Sequence, residues 1–317
     1  AQAHLERNIR NVRRNINHPS VIAWSLGNEA GDGPNFDACY DWVKAYDPSR
    51  PVHYERAVYN NGGRNTDIVC PMYWDYGQCE KYLRNNPRKP LIQCEYAHAM
   101  GNSLGGFGEY WKLIRKYPHY QGGFIWDFVD QGLRKTGRNG VMIYGYGGDW
   151  NPYDASDWNF CDNGLISPDR VPNPHMHEAR YWQQPVWTTL GEDRRTLTVF
   201  NENFFRPLDN CYLRWTVLRD GDPVRSGIVA DLRVAPQQTA AVVLPLAPET
   251  LPADGELLLN VEYRLCDVEP LLAPDHRVAY QQFTLRAAAP EPLAVAERMA
   301  DRHNSIGTLT VRDDDRN

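Results

Sequence analysis

Two glutamates stand where a chain can use them as a pair. Glu29, preceded by Asn28, closes the apolar run Val21-Ile22-Ala23-Trp24-Ser25-Leu26-Gly27, and Glu95 closes a second run, Pro90-Leu91-Ile92-Gln93-Cys94. Each run is short and apolar, the pattern of a buried strand that delivers a carboxylate where it finishes. Two carboxylates at the C-terminal ends of different strands can divide the displacement of a sugar between them. One protonates the leaving oxygen and the other attacks the anomeric carbon, with a separation of about 5–5.5 Å when configuration is retained. The pair therefore points to glycoside cleavage.

The neighbours of each acid fit that chemistry. An amide directly before the proton donor, as Asn28 is before Glu29, can bind a sugar hydroxyl, a contact that strengthens in the transition state. Around the second acid, Glu95-Tyr96-Ala97-His98 puts a phenol and an imidazole within reach of a carboxylate that must stay ionised to attack. Taken singly, Asn-Glu reads equally well as a capped turn, and His98 as a structural histidine; position at a strand end favours the functional reading. Other clusters carry less. His175 and His177, two apart near the start of a helix beginning at Asn173-Pro174, do not share a helix face and make a poor metal pair. Gly145–Asp149 is glycine-rich without the strand–helix setting of a phosphate loop, and Asp313-Asp314-Asp315 reads as a solvated turn.

The elements that must position these acids can be traced along the chain. Leu5, Ile9, Val12 and Ile16 recur at helical spacing. Strands are expected at Val21–Leu26, Pro51–Glu55, Ile68–Tyr73, Leu91–Tyr96 and Gly123–Val129, with helices at Phe36–Tyr46, Cys79–Asn85 and Phe107–Tyr117. Strands alternating with helices indicate a parallel α/β fold. Five strands fall short of an eight-stranded barrel, and the first residues read as the middle of a helix, so further strand–helix units are expected upstream. After about Trp182 the texture changes to short alternating runs at Thr196–Phe200, Cys211–Leu218, Arg225–Ala230, Ala240–Leu244, Leu257–Tyr263 and Val278–Leu285. These read as an immunoglobulin-like β-sandwich without helices. The expected domains are 1–182 (α/β), 183–288 (sandwich) and 289–317 (a linker and the first strand, Ile306–Val311, of a further β domain).

Composition narrows the partners. The 317 residues carry a net charge of −6 with no long basic block, which argues against nucleic acid. No run approaches the roughly 18 apolar residues of a membrane span. Ten Trp and eighteen Tyr suit sugar faces as well as cores. Seven scattered cysteines with no CxxC pair read as reduced, mostly buried thiols.

Longer strings add a resemblance. Asn17-His18-Pro19-Ser20-Val21-Ile22 through Gly27-Asn28-Glu29, followed by Asp47-Pro48-Ser49-Arg50-Pro51-Val52, resembles glycoside hydrolase family 2. Cys94-Glu95-Tyr96-Ala97-His98-Ala99-Met100-Gly101-Asn102-Ser103, Gln121–Gln131, Tyr146–Asp149 and Phe160–Leu165 are similar to its large bacterial lactose-splitting branch. The resemblance covers residues 8–185 most specifically and continues more weakly through the sandwich. It implies the C-terminal part of a (β/α)8 TIM barrel, strands four to eight, and a retaining enzyme that releases terminal β-galactose from β-galactosides. It implies Glu29 as acid/base, Glu95 as nucleophile and Asn28 on the 2-hydroxyl. It also implies Met72, Tyr73, His98, Trp126 and Asn163 around the sugar, with Tyr73 as the phenol partner of Glu95. Two cofactors come with it: Mg2+ held partly by Glu29, and Na+ held partly by the Phe160 carbonyl and Asn163. A homo-oligomer, dimer or tetramer, and a cytoplasmic location, with the periplasm as alternative, are further expectations.

Departures from the family pattern remain. Its other metal ligands belong upstream, the link between Tyr73 and the Glu95 strand is short, and Asp162 stands where an apolar residue is expected. Two rival readings are a non-catalytic carbohydrate-binding or assembly fragment, and the same family acting on β-glucuronides or β-mannosides.

Overall fold

A computed structural model describes residues 2–60 and 63–288. The chain divides into two compact units between Gln183 and Gln184. The expected strand Ile306–Val311 lies outside the described residues.

The first unit opens with α1 (Gln2–Asn15), then β1 (Trp24–Ser25), α2 (Pro34–Tyr46) and β2 (Val52–His53). It continues through α3 (Tyr76–Leu83), β3 (Leu91–Tyr96), α4 (Phe107–Lys116) and β4 (Tyr120–Ile125). A hairpin, β5 (Leu133–Thr136) and β6 (Met142–Gly145), and a last helix, α5 (Pro174–Trp182), complete it. Local chemistry accounts for the helix starts. Pro34 opens α2 with a preset φ, and Asp75 with Gln78 forms a reciprocal capping box on α3. α1 turns Val12 and Leu5 onto a cluster with Trp24, Leu26, Phe36, Cys39, Val43, Val52 and Tyr54.

Its strands run parallel in chain order. β1 pairs with β2, and β3 with β4. The segment between β2 and β3 joins them through single bridges, His53 to Ile68, Val69 to Leu91 and Met72 to Glu95. Parallel strands finish at the same edge, so Glu29, Glu55, Tyr73 and Glu95 gather there. Several sequence expectations need correction. Pro51–Glu55 is paired only at Val52–His53, and Glu55 opens a 3-10 turn, Glu55–Asn60. The helix expected at Cys79–Asn85 spans Tyr76–Leu83, because its capping box lies at Asp75 and Gln78. Val21–Leu26 is paired only at Trp24–Ser25, because Val21 is still in a turn, its N–H on the His18 carbonyl at 3.1 Å. Ile68–Tyr73 forms bridges rather than a ladder, since Pro71 has no N–H to donate. The last strand covers Tyr120–Ile125 rather than Gly123–Val129: beyond it the backbone changes partner, and Asp127 donates to the Asn163 carbonyl at 2.9 Å. The hairpin β5–β6 was not among the expected elements, although Asn139-Gly140 between its strands is a hairpin-turn dipeptide.

Asp47 shows why the Asp-Pro-Ser-Arg-Pro string sits where it does. Its buried carboxylate accepts from Trp24 Nε1 at 2.9 Å and from Arg50 Nη1 at 2.8 Å. Arg50 in turn donates to the Ile16 carbonyl at 3.0 Å. The Ser49, Trp24 and Arg50 donors hold the Asp47 carboxyl far below the usual carboxylate range against its burial. The string thus ties β1, α2 and the end of α1 together.

The second unit holds β7 (Val186–Leu190), β8 (Thr196–Asn201), β9 (Cys211–Arg219), β10 (Asp222–Val229), β11 (Thr239–Val243), β12 (Leu257–Leu265) and β13 (Arg277–Arg286). They form a four-stranded sheet ordered β10-β9-β12-β13 and a three-stranded sheet ordered β11-β8-β7. Inward residues alternate along each strand, as on β12, where Leu257, Leu259, Val261, Tyr263 and Leu265 are buried. Both sheets feed one core in which Val186, Leu197 and Val199 join Leu213, Trp215, Val217 and Tyr263. Thr188 Oγ1 and Tyr263 Oη, 2.6 Å apart, satisfy each other inside it. The turn between β9 and β10 contains only Asp220 and Gly221, φ 49° and 94°, so the strand starts at Asp222, ahead of the expected Arg225–Ala230. Two short 3-10 turns, Leu208–Asn210 and Pro248–Thr250, interrupt the otherwise helix-free described residues of this unit. All seven cysteines are free thiols, and Cys39, Cys70, Cys79 and Cys211 are buried.

Candidate active site

The strand ends of the first unit share a backbone feature. Glu29, Tyr73 and Ala97 each have positive φ, 48°, 53° and 49°. Left-handed backbone is costly for residues with a Cβ and collects where a structure needs side chains aimed in a particular direction. Here it turns the chain away from the sheet directly at, or just after, the candidate acids.

Glu95 is held from the neighbouring segment. Tyr73 donates its N–H to the Glu95 carbonyl at 2.9 Å and its hydroxyl to Glu95 Oε2 at 2.8 Å. Burial, the bond to Glu95 and the Glu95 charge all raise the Tyr73 phenol strongly, so it stays a donor at neutral pH. With Oε2 occupied, Oε1 is the oxygen left to react. Met72 bridges the Glu95 backbone directly. Tyr96, the nearest phenol in sequence, is buried on the opposite side of the strand and does not bond to Glu95.

Glu29 is held through its backbone. Its N–H donates to Glu55 Oε1 at 2.7 Å. Arg56 Nε lies 3.0 Å from that same oxygen, and Arg56 Nη2 lies 3.7 Å from Glu29 Oε1. The Glu29 side chain is itself exposed, as is Asn28. Glu55, by contrast, is 3 % exposed. Burial lifts its carboxyl above the ordinary range, the Glu29 N–H and Arg56 pull it back, and the charges of Glu29 and Glu95 push it up again. Glu55 and Tyr73 therefore each feel both Glu29 and Glu95, which places the two candidate acids in one electrostatic neighbourhood.

The remaining candidates line up beyond Glu95. The His98 ring sits between Tyr73 and Phe160, with ring centres 5.8 and 5.6 Å away. Trp126 is clamped by its backbone, its N–H on the Tyr96 carbonyl at 3.2 Å and its carbonyl accepting from Ala99 at 2.7 Å. The Trp126–Asp127 peptide is cis. Asn163 is buried, and its amide NH2 donates to the Phe160 carbonyl. Its Oδ1 has no hydrogen-bond partner, nor has Oδ1 of Asp127 nearby in the chain's pairing. The unexpected Asp162 finds a role here: Oδ1 accepts the Gly132 N–H at 3.2 Å and fastens the start of β5. His175 likewise has a structural partner, its Nε2 lying 2.8 Å from the Gly164 carbonyl.

Glu55 and Asp127 were missed in the sequence. Glu55 carried a readable signal, since it too is a carboxylate ending an apolar run, Pro51–Tyr54. Asp127 carried none beyond its place in the Trp126-Asp127-Phe128 string.

Gly164 fixes the Asn163 side of the site. A Cβ there would lie 2.1 Å from the Asp130 nitrogen, 2.5 Å from the Val129 carbonyl carbon and 2.6 Å from the Ile166 oxygen. All three are backbone atoms with no rotamer to yield. Gly164→Ala is expected to cost about 1–3 kcal/mol or more, as overpacking does. A urea titration checks this; an unchanged midpoint would mean the backbone there gives way.

Comparison with known proteins bears on the same residues. The family described as "Glycosyl hydrolases family 2, TIM barrel domain" matches residues 1–188, and "Beta-galactosidase, domain 4" matches residues 197–286. Beta-galactosidase 2 of Enterobacter cloacae is 44 % identical over 307 residues, covering 92 % of this chain and 29 % of the relative. The beta-galactosidase of Alteromonas mediterranea is 46 % identical over 288 residues, covering 84 % of this chain and 26 % of the relative. That of Pectobacterium atrosepticum is 41 % identical over 324 residues, covering 98 % and 30 %. The chain thus spans about three-tenths of the length of these relatives.

Proposed function

Because the chain belongs to glycosyl hydrolase family 2, we propose that it carries both catalytic carboxylates of a retaining β-galactosidase. The observation that supports this most directly is the fixed pair at the strand ends, Glu95 held by Tyr73 and Glu29 held by Glu55. On this reading the parallel row is strands four to eight of a TIM barrel, and the second unit is an immunoglobulin-like sandwich.

The geometry suggests a division of labour. Glu95 Oε1 attacks the anomeric carbon while Tyr73 keeps Oε2 in place and partly neutralised. Glu29 gives its proton to the departing oxygen, then takes one from the water that cleaves the glycosyl–Glu95 ester. Two displacements leave β-galactose with its configuration kept. Asn28 is assigned to the sugar 2-hydroxyl. Met72, His98 and Trp126 are assigned to the walls of the sugar site.

Sodium fits the residues present: the orphaned, buried Asn163 Oδ1 and the adjacent Phe160 carbonyl are two neutral oxygens of the kind a hard cation takes. When bound, such an ion would orient a sugar hydroxyl beside Asn163. Magnesium fits less well. Among the described residues no three His, Cys, Asp or Glu side chains gather for a metal, and the Arg56 cation lies 3.7 Å from Glu29 Oε1. The chain would supply Glu29 as one ligand only, and no step is assigned to that ion.

The substrate is proposed to be a terminal β-galactoside such as lactose, in a protein that forms a homo-oligomer in the cytoplasm. Among the described residues no helix is long and apolar enough to cross a membrane. Comparative hydrolysis of aryl β-galactoside, β-glucuronide and β-mannoside tests the sugar assignment, using the natural polypeptide that contains this chain. The galactoside is expected to be preferred by at least about 100-fold, well within the roughly 10⁴–10⁵ that a site hydrogen-bonding a substrate hydroxyl can reach. Preference for either of the others would reassign the substrate.

A further inference from the structure

A buried carboxylate that touches neither strand-end reactive oxygen needs an explanation of its own. Glu55 is 3 % exposed; its Oε1 accepts the backbone N–H of Glu29 at 2.7 Å and forms an ion pair with Arg56 Nε at 3.0 Å. The residue it holds, Glu29, has left-handed backbone, φ 48°. Without that acceptor, the Glu29 N–H would lose its partner and the strained turn would relax toward ordinary backbone. Arg56 then closes a loop, ion-paired with Glu55 and 3.7 Å from Glu29 Oε1. A charge-assisted bond to a backbone N–H is short and strong, and suits the task of fixing a side chain's point of departure.

We propose that Glu55 is a positioning residue for the proton donor: it fixes the backbone of Glu29, through the amide, in the turn that aims the Glu29 carboxyl at the leaving oxygen. The inference rests on the assignment of Glu29 as acid/base. Displacing a general acid by about 1 Å can cost on the order of a hundredfold in rate. That cost falls only on substrates whose leaving group needs the proton.

The test compares kcat/KM, which reports the first displacement, for a dinitrophenyl β-galactoside and for an alkyl β-galactoside in the natural polypeptide. Glu55→Ala is expected to lower the alkyl value by about 100-fold and the dinitrophenyl value by less than about tenfold. Glu55→Gln, which keeps an acceptor oxygen, should restore most of the alkyl rate. If the alanine variant does not fold, Glu55→Asp, which withdraws the acceptor by one methylene, should show the same selective loss. Equal losses on both substrates, or no loss, would overturn the proposal.

Amide hydrogen exchange at Glu29 supplies a readout independent of catalysis. Glu55→Ala, or Glu55→Asp in its place, should speed exchange there, and Glu55→Gln should not. If the wild type cleaves no galactoside, the proposed activity fails, and exchange at Glu29 alone decides whether Glu55 fixes that turn.

Discussion

Glu95→Gln is expected to abolish turnover of every galactoside, activated or not, by at least about 10⁴-fold. The reason lies in what the residue supplies. An amide oxygen in place of Glu95 Oε1 cannot form the glycosyl ester, so a better leaving group does not help. The substitution is nearly isosteric and keeps an acceptor for the Tyr73 hydroxyl, which reaches Glu95 Oε2 at 2.8 Å in the present chain. Fold and substrate binding should therefore survive, and the melting temperature and the affinity for galactose serve as controls. Steady-state hydrolysis of a dinitrophenyl β-galactoside is the deciding assay. Substantial residual activity would remove Glu95 from the nucleophile's role.

Glu29→Gln should behave differently, and the contrast separates the two acids. With no proton to give, the first displacement should slow by about 10²–10⁴-fold for alkyl galactosides, the usual worth of general acid catalysis. Dinitrophenolate leaves without help, so its release should be largely preserved, and a galactosyl-enzyme should accumulate because no base activates water. Azide needs no base. Its addition should speed turnover and yield β-galactosyl azide, with configuration retained through two displacements. Uniform loss across leaving groups, with no effect of azide, would show that Glu29 is not the acid/base.

The first unit shows how far local signals reach. The alternation of strand and helix was readable because each strand is a short apolar run and the helices keep a helical apolar spacing; the start of α3 was not, since its Asp75–Gln78 capping box precedes the expected Cys79. Strand lengths were not. Ile68–Tyr73 is as apolar as a ladder strand, yet Pro71 leaves it joined by single bridges. In the second unit the period-two burial of β12, with Leu257, Leu259, Val261, Tyr263 and Leu265 inward, is written directly in its residues. Which strands share a sheet is not, since any of these alternating strands could pair with any other.

The site divides the same way. By itself the sequence determined which residues can do the chemistry: two carboxylates at strand ends, an amide before one of them, and an imidazole after the other. It also carried the family, through strings too long to arise by composition. Tertiary structure decided which groups hold them. Tyr73, not the adjacent Tyr96, bonds Glu95, because Tyr73 follows Met72, the residue bridged to Glu95, while Tyr96 points into the core. Glu55 reaches the Glu29 amide across 26 positions, and Asp127 pairs with Asn163 across the change of partner after β4. Reactivity follows from side-chain type and is local. Positioning depends on contacts between segments far apart in the chain, and those exist only once the strands have lined up.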